Sequence, residues 1–181
     1  MIIATDAIVL KRIPFSDTSL ICRLFTKENG KITIIAKGAL NPKKTTSATL
    51  EPINHLHIQY YHKKNRDIQL LKDAIFIKNY SNMRKNLNRT VLALAAVEIL
   101  DKSTQEENSN IILYKLIWRV LDKLNDLNVN ELAVFAFYLY QFSLRIGYMP
   151  NISVCNHCNN IMDRGGINTR TGEIICQDCM F

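Results

Sequence analysis

Chain breakers are scarce in this sequence of 181 residues, with 4 Pro and 6 Gly, which excludes a collagen-like or a low-complexity disordered chain. Long uncharged runs are missing too. In the helical part the longest, 132–144, is bounded by Glu131 and Arg145 and falls short of the roughly 20 apolar residues that a spanning helix needs. The apolar start carries Asp6 and shows neither a basic leader nor a small-residue cleavage site, so a cytoplasmic protein without membrane association is expected. Enzyme motifs are absent as well: there is no Walker A loop, no HExxH, and no Ser, His and Asp set in a recognisable context. Nothing positive supports catalysis, and a non-enzyme is expected.

What is present is a folded protein's composition, 48% hydrophobic and 22% charged. Two small units fit the length better than one, each near the size at which a core is self-sufficient, so a metal staple or a shared interface is plausible. Acidic residues are short in one segment only. Residues 1–80 hold 13 Lys and Arg against 6 Asp and Glu, whereas residues 81–181 hold 10 against 10. The whole net charge of +7 therefore lies in the first segment, as expected of a module that binds a polyanion.

That segment carries short, β-branched apolar runs separated by turn signals, which predicts five strands at about 3–12, 19–26, 31–36, 53–61 and 67–78. Asn29-Gly30 supplies the residue types of a tight turn between the second and third. In the fourth run Ile53, His55, His57, Gln59 and Tyr61 alternate with Asn54, Leu56, Ile58 and Tyr60. Five strands in about 75 residues suit a small closed barrel of the oligonucleotide-binding type, because closure removes exposed edges.

From Met83 the apolar period becomes helical. Leu87, Val91, Leu94, Ala95 and Ile99 keep helical spacing while Leu92, Ala93, Ala96 and Val97 are also apolar, which predicts a central helix buried on most sides. A polar connection, 104–109, precedes a second helix at about 111–124 with a single apolar stripe. A third begins near Asn130, a good N-cap, presents Leu132, Phe135, Ala136, Leu139, Phe142, Ser143 and Ile146 on one side, and should stop at Gly147 with Pro150 blocking continuation. The expected class is α+β multidomain, with an oligonucleotide-binding domain at 1–80, a helical domain at 81–150 and a zinc-binding segment at 151–181.

Cys155-x2-Cys158 and Cys176-x2-Cys179 form two knuckles separated by 17 residues. Four thiolates so spaced can close a tetrahedral shell, and one structural Zn²⁺ per chain is the expected ion. Disulfides are the main alternative, disfavoured without a secretory signal, and a single redox pair would not need a second knuckle. Gly165-Gly166 and Thr171-Gly172 are expected turns in the spacer, with Ile167, Ile174 and Ile175 flanking the metal. His157 reads as a solvated knuckle residue, and Cys22 as a small buried hydrophobe.

The cations most suited to nucleic acid are Lys37, Lys43 and Lys44 after the third strand, Lys63, Lys64 and Arg66 in the turn before the fifth, and Lys11, Arg12 and Arg23 on strands. Long cations on loops can follow a flexible phosphate backbone while the barrel stays rigid. Phe15, Phe25, Tyr60 and Tyr61 are the nearest aromatics for base stacking, although strand aromatics are more often core.

Several stretches in this order resemble the bacterial DNA repair protein RecO family of recombination mediators. They are 6–10 (DAIVL), 25–30 (FTKENG) leading to 36–39 (AKGA), 50–52 (LEP), and 144–150 (LRIGYMP) ahead of the first knuckle. The resemblance covers essentially the whole chain. It implies an oligonucleotide-binding barrel, a helical domain and a four-cysteine zinc site. It further implies a nucleoid-associated protein that binds single- and double-stranded DNA, anneals strands, and works with RecR to load RecA onto single strands coated by single-strand-binding protein. Members usually continue with helices beyond the second knuckle, whereas this sequence stops at Met180-Phe181. Either a homodimer that covers the exposed apolar face or weakened binding of single-strand-binding protein is therefore expected. A zinc-ribbon RNA-binding or transcription accessory factor is the alternative, since a basic barrel with a ribbon also suits RNA.

Overall fold

The computed structural model describes residues 1–43, 45–148 and 152–180. They form two compact units, Met1–Tyr138 and Leu139–Phe181.

The first unit opens with β1 (Ile2–Phe15), β2 (Ser19–Thr26) and β3 (Gly30–Ala36), followed by the one-turn helix α1 (Thr46–Thr49), β4 (His55–Tyr61) and β5 (Ile68–Lys78). The five strands close into a barrel in the order β1-β2-β3-β5-β4. All neighbours are antiparallel except β3 and β5, which pair in parallel at Thr33↔Ile68 and Ile35↔Leu70. The expected alternation in β4 holds: Leu56, Ile58 and Tyr60 point into the core with Val9, Leu24 and Ile34. Cys22 is buried there too, and desolvation pushes its thiol up to about 12. Gly30 sits at φ +66° at the end of the β2–β3 connection, a conformation glycine adopts without the Cβ penalty.

A bulge in β1 reshapes one face of the barrel. Val9 pairs with Leu24, but the next partners are Lys11 and Arg23, so Leu10 is the extra residue. Its insertion reverses which side chains point outward. Ala7 and Val9 lie in the core before it, whereas Lys11 and Ile13 face solvent after it.

The chain continues through α2 (Ser81–Arg84), α3 (Leu87–Ser103), α4 (Ile111–Asn125) and α5 (Glu131–Arg145). Asn86, Asn110 and Asn130 each accept a hydrogen bond from the backbone N–H three residues on, those of Arg89, Leu113 and Ala133. These are the N-cap contacts that satisfy otherwise orphaned donors. Replacing Asn110 with Ala should cost about 1 kcal/mol, measured as a fall in urea midpoint. Helix α4 is amphipathic as expected, burying Leu113, Leu116, Ile117, Val120, Leu121 and Leu124. The buried ring of His55 meets the Tyr114 hydroxyl at 2.7 Å through Nε2 and so joins β4 to α4, and burial lowers the imidazole pKa.

Two expectations about helices are corrected. Helix α3 is not buried on most sides: Leu87 is 76% and Val91 53% exposed, while Arg89, Ala93, Ala96, Val97, Leu100 and Asp101 are buried. With apolar residues all round, its buried face is chosen by the docking of Arg89 and Asp101. The face expected for α5 is kept only in part: Phe142 is buried and Phe135 and Ile146 are half-buried as expected, but Leu132, Ala136 and Leu139 are exposed and Tyr138 is buried instead. The Tyr138 hydroxyl donates to the Ala96 carbonyl at 2.8 Å, so a polar tip decides which side turns inward.

In the second unit the helix ends as expected at Gly147, at φ +79°. The Tyr148 N–H returns to the Ser143 carbonyl at 3.0 Å, a left-handed helix stop; Pro150 lies outside the described residues. The hairpin of β6 (Gly165–Ile167) and β7 (Ile174–Cys176) follows. Gly172, at φ +74°, makes its turn, but Gly165 and Gly166 are strand residues rather than a turn. Glycine is needed at 165 for close approach, because a Cβ there would meet the Ile175 carbonyl, whereas one on Gly166 would meet only the movable end of the Met180 side chain. Of the expected metal flank, Ile174 is buried and Ile167 exposed. No helix among the described residues is long and apolar enough to cross a membrane.

Candidate nucleic-acid interface and metal centre

The outer face of β1, β2 and β3 divides into a covered and an open part. Ile8, Phe25 and Lys31 point outward yet are buried. Lys31 extends its ammonium to the Asp101 carbonyl at 2.7 Å, at the end of α3. Beyond them Lys11, Ile13, Ile21, Arg23 and Thr33 line an open depression of about 240 Å³. Cross-strand pairing sets this mixture, with Lys11 opposite Arg23, Ile13 opposite Ile21, and Arg23 opposite Thr33. Such a face offers cations for phosphates and apolar surface for bases or sugars.

The expected basic residues are distributed unevenly. Lys11, Lys37, Lys43, Lys63, Lys64 and Arg66 are exposed; Lys44 lies outside the described residues. Arg12 instead pairs with Glu51 at 2.5 Å and donates to the Ser47 carbonyl, which ties β1 to α1. Arg23 pairs with the buried Asp101 at 2.7 Å. The two basic loops meet β3 at different points: the segment beginning at Lys37 follows Ala36, while the β4–β5 turn feeds Ile68 beside Thr33, in the middle of the strand. The run from Thr33 to Ala36 separates these points by roughly 10 Å. Of the four aromatics, Tyr60 lies in the barrel core and Phe25 is buried on the covered outer face, while Phe15 and Tyr61 are exposed at 51% and 41%.

The four cysteines converge. The Sγ atoms of Cys155, Cys158, Cys176 and Cys179 all lie within 4.8 Å of one another, and those of Cys158 and Cys176 are 3.8 Å apart. A tetrahedral ion with bonds of about 2.3 Å requires sulfur separations of about 3.8 Å, so the donor set fits a metal. The knuckle backbone prepares it: Asn159, at φ +59°, donates its N–H to the Cys155 carbonyl at 2.9 Å. Hydrogen bonds from the backbone of Cys158, Cys176 and His157 bring the Cys155 thiol down to about 6, while the neighbouring Cys176 sulfur raises Cys179 to about 12. A metal ion bound here would hold the sulfurs as thiolates, displacing their protons. His157 is exposed on the rim.

A closed five-stranded barrel followed by helices and a four-cysteine centre defines a protein of the oligonucleotide-binding barrel class with a metal-knuckle module. Comparison with known families makes this specific. Residues 1–80 match the model described as Recombination protein O N terminal, and residues 84–181 match Recombination protein O C terminal. The chain is 32% identical over 155 residues to the DNA repair protein RecO of Pelodictyon phaeoclathratiforme, covering 86% of this chain and 59% of that protein. It is 31% identical to that of Salinibacter ruber, over 83% and 58%, and 28% identical to that of Bacillus pumilus, over 99% and 69%. The chain belongs to the RecO family. It spans less than two thirds of the length of the Pelodictyon and Salinibacter relatives.

Proposed function

We propose that this chain is a nonenzymatic recombination mediator whose barrel binds DNA strands through the open face of β1, β2 and β3. The observation that carries the reading is that face itself, where Lys11 and Arg23 stand among Ile13, Ile21 and Thr33 between two exposed basic loops. Lys37, Lys43 and Lys44 hold the backbone at one end, and Lys63, Lys64 and Arg66 at the other. Arg12 and Arg23 contribute charge from within their ion pairs. Neutralising the phosphates of two strands lets complementary sequences approach and anneal. In the cell the protein acts in the cytoplasm at the nucleoid with RecR, giving RecA access to single strands coated by single-strand-binding protein. The cysteine centre holds one structural Zn²⁺, whose closed thiolate shell leaves no open position for chemistry.

Affinity for a single-stranded oligomer should fall steeply with salt and depend little on sequence. Each phosphate contact adds about 0.7 to the slope of log affinity against log salt, so Ala at Lys63, Lys64 and Arg66 together should flatten it by up to about 2. Fluorescence anisotropy across a salt series measures this, and an unchanged slope would place the strand elsewhere. Annealing on DNA precoated with single-strand-binding protein, with and without RecR, tests the mediator role. Competition by RNA of the same sequence tests the RNA alternative.

A further inference from the structure

The connection between α3 and α4, residues 104–110, is seated on the barrel beside the proposed strand path. The Glu107 N–H donates to the Lys31 carbonyl at 2.8 Å, and the Lys31 ammonium donates to the carbonyls of Asp101 and Thr104. A Cβ on Gly30 would collide with the Asn108 carbonyl, so the close approach of this connection requires glycine in the barrel hairpin. Backbone groups of the segment and of the end of α3 make these contacts.

The segment's acidic side chains stand where phosphates are expected. Glu106 accepts a hydrogen bond from the Thr33 hydroxyl at 3.3 Å, at the edge of the open face. Glu106 and Glu107, with Thr33, Asp67 and Ile68, line a cleft of about 340 Å³ that also contains Lys64 and Arg66. Glu107 moreover sits at φ +56°, where glycine would be unstrained and a side chain is not. A carboxylate kept in such a conformation, facing a basic turn, points to a role for its charge.

We propose that Glu106 and Glu107 are a built-in phosphate competitor, which weakens the hold of this end of the barrel face on a nucleic-acid strand so that a bound strand can be released. This rests on the strand path proposed above. A phosphate drawn to Lys64 and Arg66 meets the carboxylates of Glu106 and Glu107 as well as that of Asp67 in the same cleft, and the repulsion from the two glutamates offsets part of the attraction over distances shorter than the Debye length.

The test uses the full chain and a fluorescent oligo-dT. Glu106→Gln with Glu107→Gln keeps the shape and removes both charges. It should tighten binding about 5-fold at low salt, slow dissociation, and lose the gain at high salt. Glu107→Gly should also bind tighter and, with its backbone strain relieved, melt at a higher temperature. Asp163→Asn with Glu173→Gln, the same charge change placed in the ribbon, should alter affinity by less than about 2-fold. Unchanged or weaker binding by the Gln pair, or an equal gain from the ribbon pair, overturns the inference while leaving the strand path intact. A wild-type chain without measurable affinity for the oligomer overturns both.

Discussion

Cys158→Ser is expected to abolish stable zinc loading and to unfold the hairpin of β6 and β7 while the barrel remains folded. The second unit buries few large side chains in its ribbon: Cys155, Ile174 and Cys176 are buried, whereas Ile161, Ile167 and Met180 are exposed. So small an apolar core cannot offset the entropy of ordering the segment. Structural zinc at four thiolates contributes on the order of 10 kcal/mol or more of apparent binding free energy, and in such modules binding free energy is folding free energy. Serine removes one thiolate donor from a set whose sulfurs already lie at metal spacing. Elemental analysis should fall from about one zinc per chain to a small fraction of that. Limited proteolysis should then cut within 152–180 and spare β1 to β5. Loading should also weaken as pH falls below neutrality, because protons compete with the ion for thiolates. Full metal content in the variant, or a protease-resistant ribbon without metal, would overturn the assignment.

The second large effect is expected at Arg89. It is a buried cation on α3 whose guanidinium donates to the carbonyls of Leu124, Asp126, Leu127 and Val129 and pairs with Glu131 at 3.2 Å. One side chain thus gathers the end of α4, the following turn and the start of α5. Arg89→Met keeps most of the volume but leaves those acceptors and the Glu131 carboxylate without their donor, which should cost about 3–5 kcal/mol. Lysine should rescue little, because a single ammonium cannot reproduce the planar fork. Chemical denaturation followed at Trp118, on α4, measures the loss. A change below about 1 kcal/mol would mean that water replaces these contacts.

How much was legible in the sequence depended on whether the signal was local. Strand runs and turn residues located the five strands to within two or three residues, because period-two alternation and Asn29-Gly30 are properties of neighbours in the chain. The two cysteine knuckles announced their cluster for the same reason, since each spacer of two residues forms a local turn and only the meeting of the pairs is long-range. The buried face of α3 was not legible. Leu87, Val91 and Leu94 satisfy helical periodicity as well as Ala93, Ala96 and Val97 do, and the choice was made by Arg89 and Asp101, whose acceptors and donors come from distant elements. Gly165-Gly166 misled as a turn because the requirement at Gly165 is room for the Ile175 carbonyl, several residues away along the chain.

The sequence by itself determined the strand and helix segments, the helix cap at Asn130, the metal donors, and the confinement of net charge to residues 1–80, since each follows from residue type and short spacing. Only the tertiary structure decided which cations are available. Lys11 and Ile13 would share the inward face of Val9 in a regular strand, and a single extra residue, Leu10, turns them outward beside Arg23. Parallel pairing of β3 with β5 then brings the β4–β5 turn beside Thr33, on the strand from whose end at Ala36 the other basic loop departs, and the α3–α4 connection brings Glu106 against Thr33 from 73 residues away in the chain. Bulge position, strand register and long-range docking depend on the cooperative packing of many residues, and no single local pattern encodes them.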